Sequence, residues 1–210
     1  MSKFLITGVN SGLGKFLFEN IPNSLGLHRD NYDEIKNKKF DYIIHCAFNK
    51  ENEISNYKKY LNDNIFLTQR LKSLNYKKFI YISTVDVYQK KLTMYAKFKL
   101  FSESLLENKD LILRCPMILG PTMKDNHTEK LKKNFDKIGL SGKSQFHYIL
   151  MEDLLDFFIN DKFLKLNRII DFIPNNPIEL TDVKSFFNSK TSLGDYIYSN
   201  IFDSLNPIFN

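Results

Sequence analysis

The 210-residue chain has only two cysteines, Cys46 and Cys115, and each lies inside an apolar run. Thiols in such runs are expected to be buried and reduced. No Cys/His spacing suits a structural zinc site, so no metal is expected. No apolar run reaches the ~20 residues that a membrane-spanning helix needs, and a membrane is not an expected partner. There is no internal repeat and no low-complexity linker. The chain enters an apolar stretch at Lys3, so no signal peptide is expected and the cytoplasm is the expected location. Charge of one sign does not dominate: 30 Lys and Arg stand against 24 Asp and Glu, a net charge of +6. The lysines are scattered among Asn, Ile, Phe and Tyr along the whole chain. That reads as compositional bias and not as a nucleic-acid face, so nucleic acid is not expected either.

What is present is enough to build a core. Hydrophobic residues make up 43% of the chain and aromatics 14%, which predicts one domain, or one domain with a small appendage. Strands are expected at Lys3–Thr7, Ser24–His28, Phe40–Ala47, Lys78–Thr84 and Leu111–Pro116. Helical character is expected at 15–20, 33–39, 57–74 and 93–108, where apolar residues recur at helical spacing. Strands alternating with helices predict an α/β fold with a doubly wound, mainly parallel sheet. Ligands of such sheets bind at the carboxyl ends of the strands; here those ends carry Thr7, Ala47, Thr84 and Pro116. After Gly120-Pro121 the pattern weakens. The 124–143 segment is polar and basic. A strand is expected at Gln145–Leu150, a helix at Glu152–Asn160, a strand at Arg168–Ile173, and a helix at Thr181–Phe187 with Thr181 as its N-cap.

Two patterns carry chemistry. Thr7-Gly8-Val9-Asn10-Ser11-Gly12-Leu13-Gly14 joins an expected strand to an expected helix. Gly8, Gly12 and Gly14 permit a tight turn and a close approach of backbone to a pyrophosphate. The helix that follows offers free N–H groups and a positive dipole end. After the second strand stands His28-Arg29-Asp30, and a basic Arg29 there favours a 2′-phosphate, hence NADP, with NAD as the second choice. The other pattern is Tyr95-Ala96-Lys97-Phe98-Lys99. Tyr95 and Lys99 share one helix face. A nearby ammonium favours the phenolate and lowers the phenol's pKa, so Tyr95 could exchange a proton with a substrate oxygen near neutral pH. Thr84, with Ser83 as a competing candidate, would bond the same oxygen.

In combination these segments resemble the short-chain dehydrogenase/reductase superfamily, and most closely its extended branch of nucleotide-sugar-modifying epimerases and dehydratases. The similarity runs over residues 3–121 and resumes near 145–158. It rests on the glycine turn, His45-Cys46-Ala47, Asn64 to Thr68, Tyr81 to Tyr88, Tyr95 to Lys99 with Glu103, Leu113 to Pro116, Gly120-Pro121, and His147 to Leu154. The resemblance implies a Rossmann-like core over 1–121. It also implies a reduced substrate-binding region over 122–210, with 145–160 packing back on the core. It implies Tyr95 as catalytic acid/base, Lys99 as the residue that holds the nicotinamide ribose and tunes Tyr95, and Thr84 as the third member. The implied cofactor site comprises Gly8, Asn10, Ser11, Gly12, Leu13, Gly14, His28, Arg29, Cys46, Ala47, Phe48, Asn64, Ser83, Tyr95, Lys99, Pro116 and Ile118. A homodimer is expected, through helices at 57–74 and 93–108.

Some features depart from the family pattern. Ser11 stands where the extended branch usually has glycine, only ten residues separate Thr84 from Tyr95, and the C-terminal part is short. Family dehydratases carry an Asp-Glu pair directly after the strand-end Thr, and this chain has Val85-Asp86, which argues against water elimination. The expected function is an NAD(P)-dependent ketoreductase acting on a 4-keto nucleotide sugar in cell-surface polysaccharide synthesis. A nucleotide-sugar epimerase with tightly held NAD and a non-catalytic dinucleotide-binding regulator are the alternatives. Lysines of the 124–143 segment are candidates for contacting the substrate diphosphate.

Overall fold

In the computed structural model, the described residues are 3–49, 56–123, 126–166 and 168–202. Short apolar runs bounded by turn residues form six parallel strands: β1 (Phe4–Thr7), β2 (Ser24–Leu27), β3 (Lys39–His45), β4 (Asn75–Thr84), β5 (Leu111–Cys115) and β10 (Arg168–Asp171). They make one sheet in the order β10-β5-β4-β3-β1-β2. Strand order reverses direction between β1 and β3, as in doubly wound Rossmann-like folds. β10 forms one edge of this sheet, opposite β2, although it comes late in the chain.

Alternation along the strands sends side chains to both faces, and both faces are covered. On one face Ile6, Ile44, Ile80 and Leu113 pack against Leu13 and Leu17 of α1 (Gly12–Asn20) and Leu154, Phe157 and Phe158 of α7 (Met151–Ile159). On the other face Leu5, Ile43, Phe79 and Tyr81 pack against Ile35 of α2 (Tyr32–Ile35) and Leu71 of α4 (Leu67–Lys72). Burial on two sides explains why these strands read as continuous apolar runs.

The long helical stretch expected at 57–74 is broken into α3 (Tyr57–Leu61), a π-helical turn (Asn62–Phe66) and α4. A 3₁₀ turn (Val85–Tyr88) follows β4 and precedes α5 (Met94–Ser104), which Thr93 caps by accepting from the Ala96 N–H at 3.2 Å. β6 (Met117–Leu119) leads to a smaller lobe with α6 (His127–Lys132), β7 (Lys137–Leu140), β8 (Gln145–Phe146), β9 (Tyr148–Leu150), β11 (Ile178–Glu179), α8 (Leu180–Phe186) and β12 (Ser192–Tyr196). Leu131, Ile138, Phe146 and Leu180 form its core.

The single strand expected at 145–150 divides at His147, whose N–H leaves the ladder to meet the Asn200 Oδ1 at 2.9 Å. β8 pairs with β11 and β9 with β6. Thr181 is not an N-cap: α8 begins one residue earlier with Glu179 as its cap, and the Thr181 N–H donates to the Gly142 carbonyl. None of the described helices is long and apolar enough to cross a membrane. The described residues contain no group of three or more His, Cys, Asp or Glu placed to hold a metal ion.

Candidate active site

The glycine turn sits where β1 meets α1. Gly8 has φ +76° and Gly12 φ +61°, a region that L side chains rarely adopt. A Cβ on Gly8 would lie 3.0 Å from the Ala47 N, and one on Gly14 would lie 2.4 Å from the Thr7 carbonyl oxygen. The turn is therefore pressed against the ends of β1 and β3, and only glycine fits. Its amides are partly engaged: the Gly12 N–H donates to the Thr122 carbonyl at 2.8 Å, and the Thr122 hydroxyl donates to the Gly12 carbonyl at 2.8 Å. Ser11 is the helix N-cap residue without a side-chain capping bond.

Behind the turn runs a chain of buried hydrogen bonds. The Thr7 Oγ1 accepts from the Cys46 and Ala47 N–H groups at 3.1 and 3.0 Å and lies 2.7 Å from the His45 Nδ1. The His45 Nε2 lies 3.1 Å from the Thr68 Oγ1, and that hydroxyl donates to the Asn64 carbonyl at 2.7 Å. Since the Thr68 proton is committed, His45 donates through Nε2 and accepts from Thr7 through Nδ1. The ring is neutral, and burial lowers its pKa to about 3. Asn64 in turn pairs with Asn49: its Oδ1 accepts from the Asn49 N–H at 2.7 Å, and its Nδ2 donates to the Asn49 carbonyl at 3.1 Å. Asn64 thus shapes the loop after β3 and lines neither of the two cavities described next.

Two adjoining cavities open at the carboxyl ends of the strands. One, of about 770 Å³, is lined by Ser11 to Gly14, Cys46, Phe48, Ser83 to Asp86, Tyr95, Lys99, Cys115 to Ile118, Tyr198 and Asn200, among others. The other, of about 660 Å³, is lined by Thr7 to Ser11, His28, Arg29, Tyr32, Cys46 to Asn49 and Arg70, among others. They share Ser11, Cys46, Phe48 and Asn49. Gly8, Asn10, Ser11, Gly12, Leu13, Gly14, His28, Arg29, Cys46, Ala47, Phe48, Ser83, Thr84, Tyr95, Lys99, Pro116 and Ile118 all border one or both. The described lysines of the 124–143 segment do not: Lys130, Lys132, Lys133, Lys137 and Lys143 border neither cavity, although Leu140 lines the first, and Lys124 lies outside the described residues.

Tyr95 sits in the first turn of α5, and Lys99 follows it on the same face. The Lys99 Nζ donates to the Ile82 carbonyl at 2.7 Å and lies 4.3, 4.7 and 5.8 Å from the ring centres of Phe48, Tyr81 and Tyr95. The Tyr95 ring meets the Phe48 ring edge-on at 5.1 Å. The expected lowering of the Tyr95 pKa is reversed. Burial pushes it above the ordinary tyrosine value, the Asp86 charge pushes the same way, and a hydrogen bond with Thr84 pulls against both. The physical reason is that Tyr95 is buried, which penalises the charged phenolate, while the Lys99 ammonium is engaged by the Ile82 carbonyl. Burial likewise pushes the Cys46 thiol up to about 12 and raises that of Cys115, so neither thiol is poised as a nucleophile.

Ser83 and Thr84, adjacent at the end of β4, both border the first cavity. The two point to opposite faces, and the Ser83 Oγ donates to the Glu103 Oε1 at 2.5 Å. The Thr84 hydroxyl accepts from the Asp86 N–H at 3.2 Å and bonds Tyr95. Glu103 also holds Arg114, with Nη2–Oε2 at 2.7 Å and Nε–Oε1 at 3.2 Å. The Arg114 Nη1 then meets the Tyr88 hydroxyl at 2.8 Å, and that hydroxyl donates to Asp171. This buried network ties α5 to β4, β5 and β10.

Sequence reasoning missed several lining residues. Tyr198 and Asn200 arrive from the far end of the chain, where no motif announced them. Thr122 covers the glycine turn. Arg70 stacks over the Tyr32 ring at 4.0 Å, and both line the second cavity.

No protein-family model matches the chain, and no curated protein does so. Solved structures do. UDP-N-acetylglucosamine 4-epimerase from Methanobrevibacter ruminantium M1, in complex with UDP-N-acetylmuramic acid, superposes with TM-score 0.78 at 16% identity, over 96% of this chain and 89% of that one. UDP-glucuronic acid 4-epimerase from Bacillus cereus, in complex with NAD, gives 0.76 at 18%, over 94% and 86%. RMD from Pseudomonas aeruginosa, complexed with NADPH, gives 0.73 at 16%, over 94% and 88%. At such identities the likeness is one of fold.

Proposed function

We propose that the chain belongs to the extended short-chain dehydrogenase/reductase family and is an NAD(P)-dependent reductase of a 4-keto nucleotide sugar, working in the cytoplasm in cell-surface polysaccharide synthesis. The observation that carries this reading is the convergence of Thr84, Tyr95 and Lys99 on one cavity that also reaches the glycine turn. The residues fit a dinucleotide. Gly8 and Gly14 form a cradle that a Cβ would fill, and the second cavity offers an aromatic ring and two guanidinium groups for an adenosine end. When bound, a reduced dinucleotide supplies the hydride. Thr84 and Tyr95 orient the substrate carbonyl by hydrogen bonds to its oxygen, and Tyr95 donates the proton that this oxygen needs. Lys99 keeps its positive charge beneath Tyr95 and steadies the phenolate left behind. Phe48 and Tyr60 keep water from the back of the Tyr95 ring.

Arg29 and Arg70 both border the second cavity, which favours a 2′-phosphate and hence NADP over NAD. Buried Val85 supports the exclusion of water elimination, since the acid such chemistry uses at that place is absent. We assign residues 1–121 to cofactor binding and 122–210 mainly to the substrate. A homodimer would cover the exposed Tyr57, Phe66, Met94 and Phe101 on the helices after β3 and on α5. The second reading, an epimerase with retained NAD, is favoured by the two 4-epimerases among the structural relatives. The test is NADPH oxidation with a panel of keto-sugar nucleotides. Turnover that consumes cofactor supports the reductase, whereas sugar interconversion without net consumption supports the epimerase.

A further inference from the structure

The cavity that contains Tyr95 is poor in charge. Of the described residues that border it, Asp86 and Lys99 alone are charged, and no arginine is among them. Lys99 is only 3% exposed. Its Nζ donates to the Ile82 carbonyl at 2.7 Å and stands against the rings of Phe48, Tyr81 and Tyr95. Asp86 is half-buried, in the 3₁₀ turn two residues after Thr84. Its N–H donates to the Thr84 Oγ1 at 3.2 Å, and its Oδ1 accepts the hydroxyl of Tyr198, a residue 112 positions away. Its Oδ2 accepts no hydrogen bond from the described residues. Tyr198 is a fixed partner: its N–H donates to the Ser144 Oγ at 3.1 Å, and its ring stacks on Phe146 at 5.1 Å. The residues after it are pinned as well. The Ser199 carbonyl accepts from the Gln89 Nε2 at 2.9 Å, and the Asn200 Oδ1 from the His147 N–H at 2.9 Å. The late segment of the chain thus holds one carboxylate, with one open oxygen, in the cavity wall beside Thr84.

We propose that Asp86 is a specificity-determining residue. It selects a sugar that carries a hydrogen-bond donor, a hydroxyl or an amino group, beside the reacting carbon, and it rejects one that carries a carboxylate there. The inference rests on the reading of Thr84 and Tyr95 as the pair that holds the substrate carbonyl, and it names the class of sugar. With a C4 carbonyl oxygen between those two hydroxyls, the carbons on either side of C4 present their substituents along the wall that Asp86 and Tyr198 form. A hydroxyl or an ammonium there donates to the open Asp86 oxygen, a charge-assisted bond. A carboxylate there meets a like charge in a partly buried place, and no arginine on that wall compensates it. The Lys99 ammonium does not take that part, since its Nζ is turned to the Ile82 carbonyl among three rings. Discrimination of this kind works through the repulsive element as much as through the new bond.

The test is calorimetric titration of the whole chain, in the presence of NADPH, with pairs of sugar nucleotides that differ only at C6. UDP-glucose is set against UDP-glucuronic acid, and the matching hexose and uronic acid pairs are used in thymidine and guanosine diphosphate form. These ligands are alcohols at C4, so a reduced cofactor does not turn them over and binding alone is read. The wild type is expected to bind the hydroxymethyl member of at least one pair about tenfold tighter or more, as a like-charge clash costs. In Asp86→Asn the preference is expected to shrink to about threefold or less, because the uronic acid gains affinity; a merely damaged site gives no such gain. Should Asp86→Asn not fold, Asp86→Ser carries the same expectation. Tyr198→Phe leaves the carboxylate in place and is expected to keep the preference. A wild type that binds both members of a pair alike, or a neutral variant in which the uronic acid gains nothing, overturns this proposal alone. Binding of no sugar nucleotide by wild type or variant overturns the sugar-nucleotide reading and this proposal with it.

Discussion

Tyr95 borders one cavity with Thr84, Asp86 and Lys99, and in the proposed reaction its hydroxyl moves the proton. Tyr95→Phe removes that proton and little else. The expected outcome is a loss of turnover of about 10²–10⁴-fold, the usual contribution of a positioned acid or base, with dinucleotide affinity within a few-fold of wild type; steady-state kinetics and a binding titration check both. The cradle makes a separate prediction. Gly14→Ala places a Cβ 2.4 Å from the Thr7 carbonyl oxygen, backbone that cannot yield cheaply. Dinucleotide binding is expected to fall at least tenfold and the thermal midpoint to drop, both read by thermal unfolding with and without NADPH. The placement of Gly8 and Gly14 in a strand-to-helix turn, and of Tyr95 and Lys99 on one helix, was legible in the sequence, because spacing along a turn or a helix is a local property. The state of Tyr95 was not, because burial and Asp86 act through space and no spacing rule reports them.

The element that carries Tyr95 and Lys99 is held from its other end. α5 is anchored by Glu103, which takes the Ser83 hydroxyl and the Nε–Nη2 edge of the Arg114 guanidinium. The two side chains of this pair are only 6% and 11% exposed. Removing one partner of a buried pair leaves a charge without compensation, at a cost of about 3–5 kcal/mol. Glu103→Gln is therefore expected to destabilise strongly in urea unfolding, while Glu103→Leu with Arg114→Met recovers much of the loss. Strands β1 to β5 were readable because each carries a short apolar run that packs on the two faces of the sheet. Elements of the smaller lobe were not: β6, β7, β11 and β12 are two to five residues long, and their pairing comes from distant segments. The break of the expected 57–74 helix at Asn62–Phe66 follows from Asn64, whose side chain is committed to Asn49, a partner that helical periodicity cannot see.

Across the whole molecule, the buried Thr7–His45–Thr68–Asn64 chain links β1, β3 and the helical segment behind the cofactor cradle. Burial lowers the pKa of His45 from the ordinary 6.5 to about 3 and that of His127 to about 4. Between these values the unfolded chain binds more protons than the folded one, so stability is lost as pH falls from about 6.5 toward 3 and is unaffected by these groups above that window. Urea unfolding at a series of pH values is expected to show this decline, and His45→Gln is expected to flatten it. On the proposed function, the glycine turn at the head of α1 presents a dinucleotide to Tyr95. Nicotinamide fluorescence during titration of the chain with NADPH and NADH reads that binding. Saturable binding of both is expected, tighter for NADPH and lost in Gly14→Val; absence of binding by either dinucleotide, or binding indifferent to Gly14→Val, overturns it.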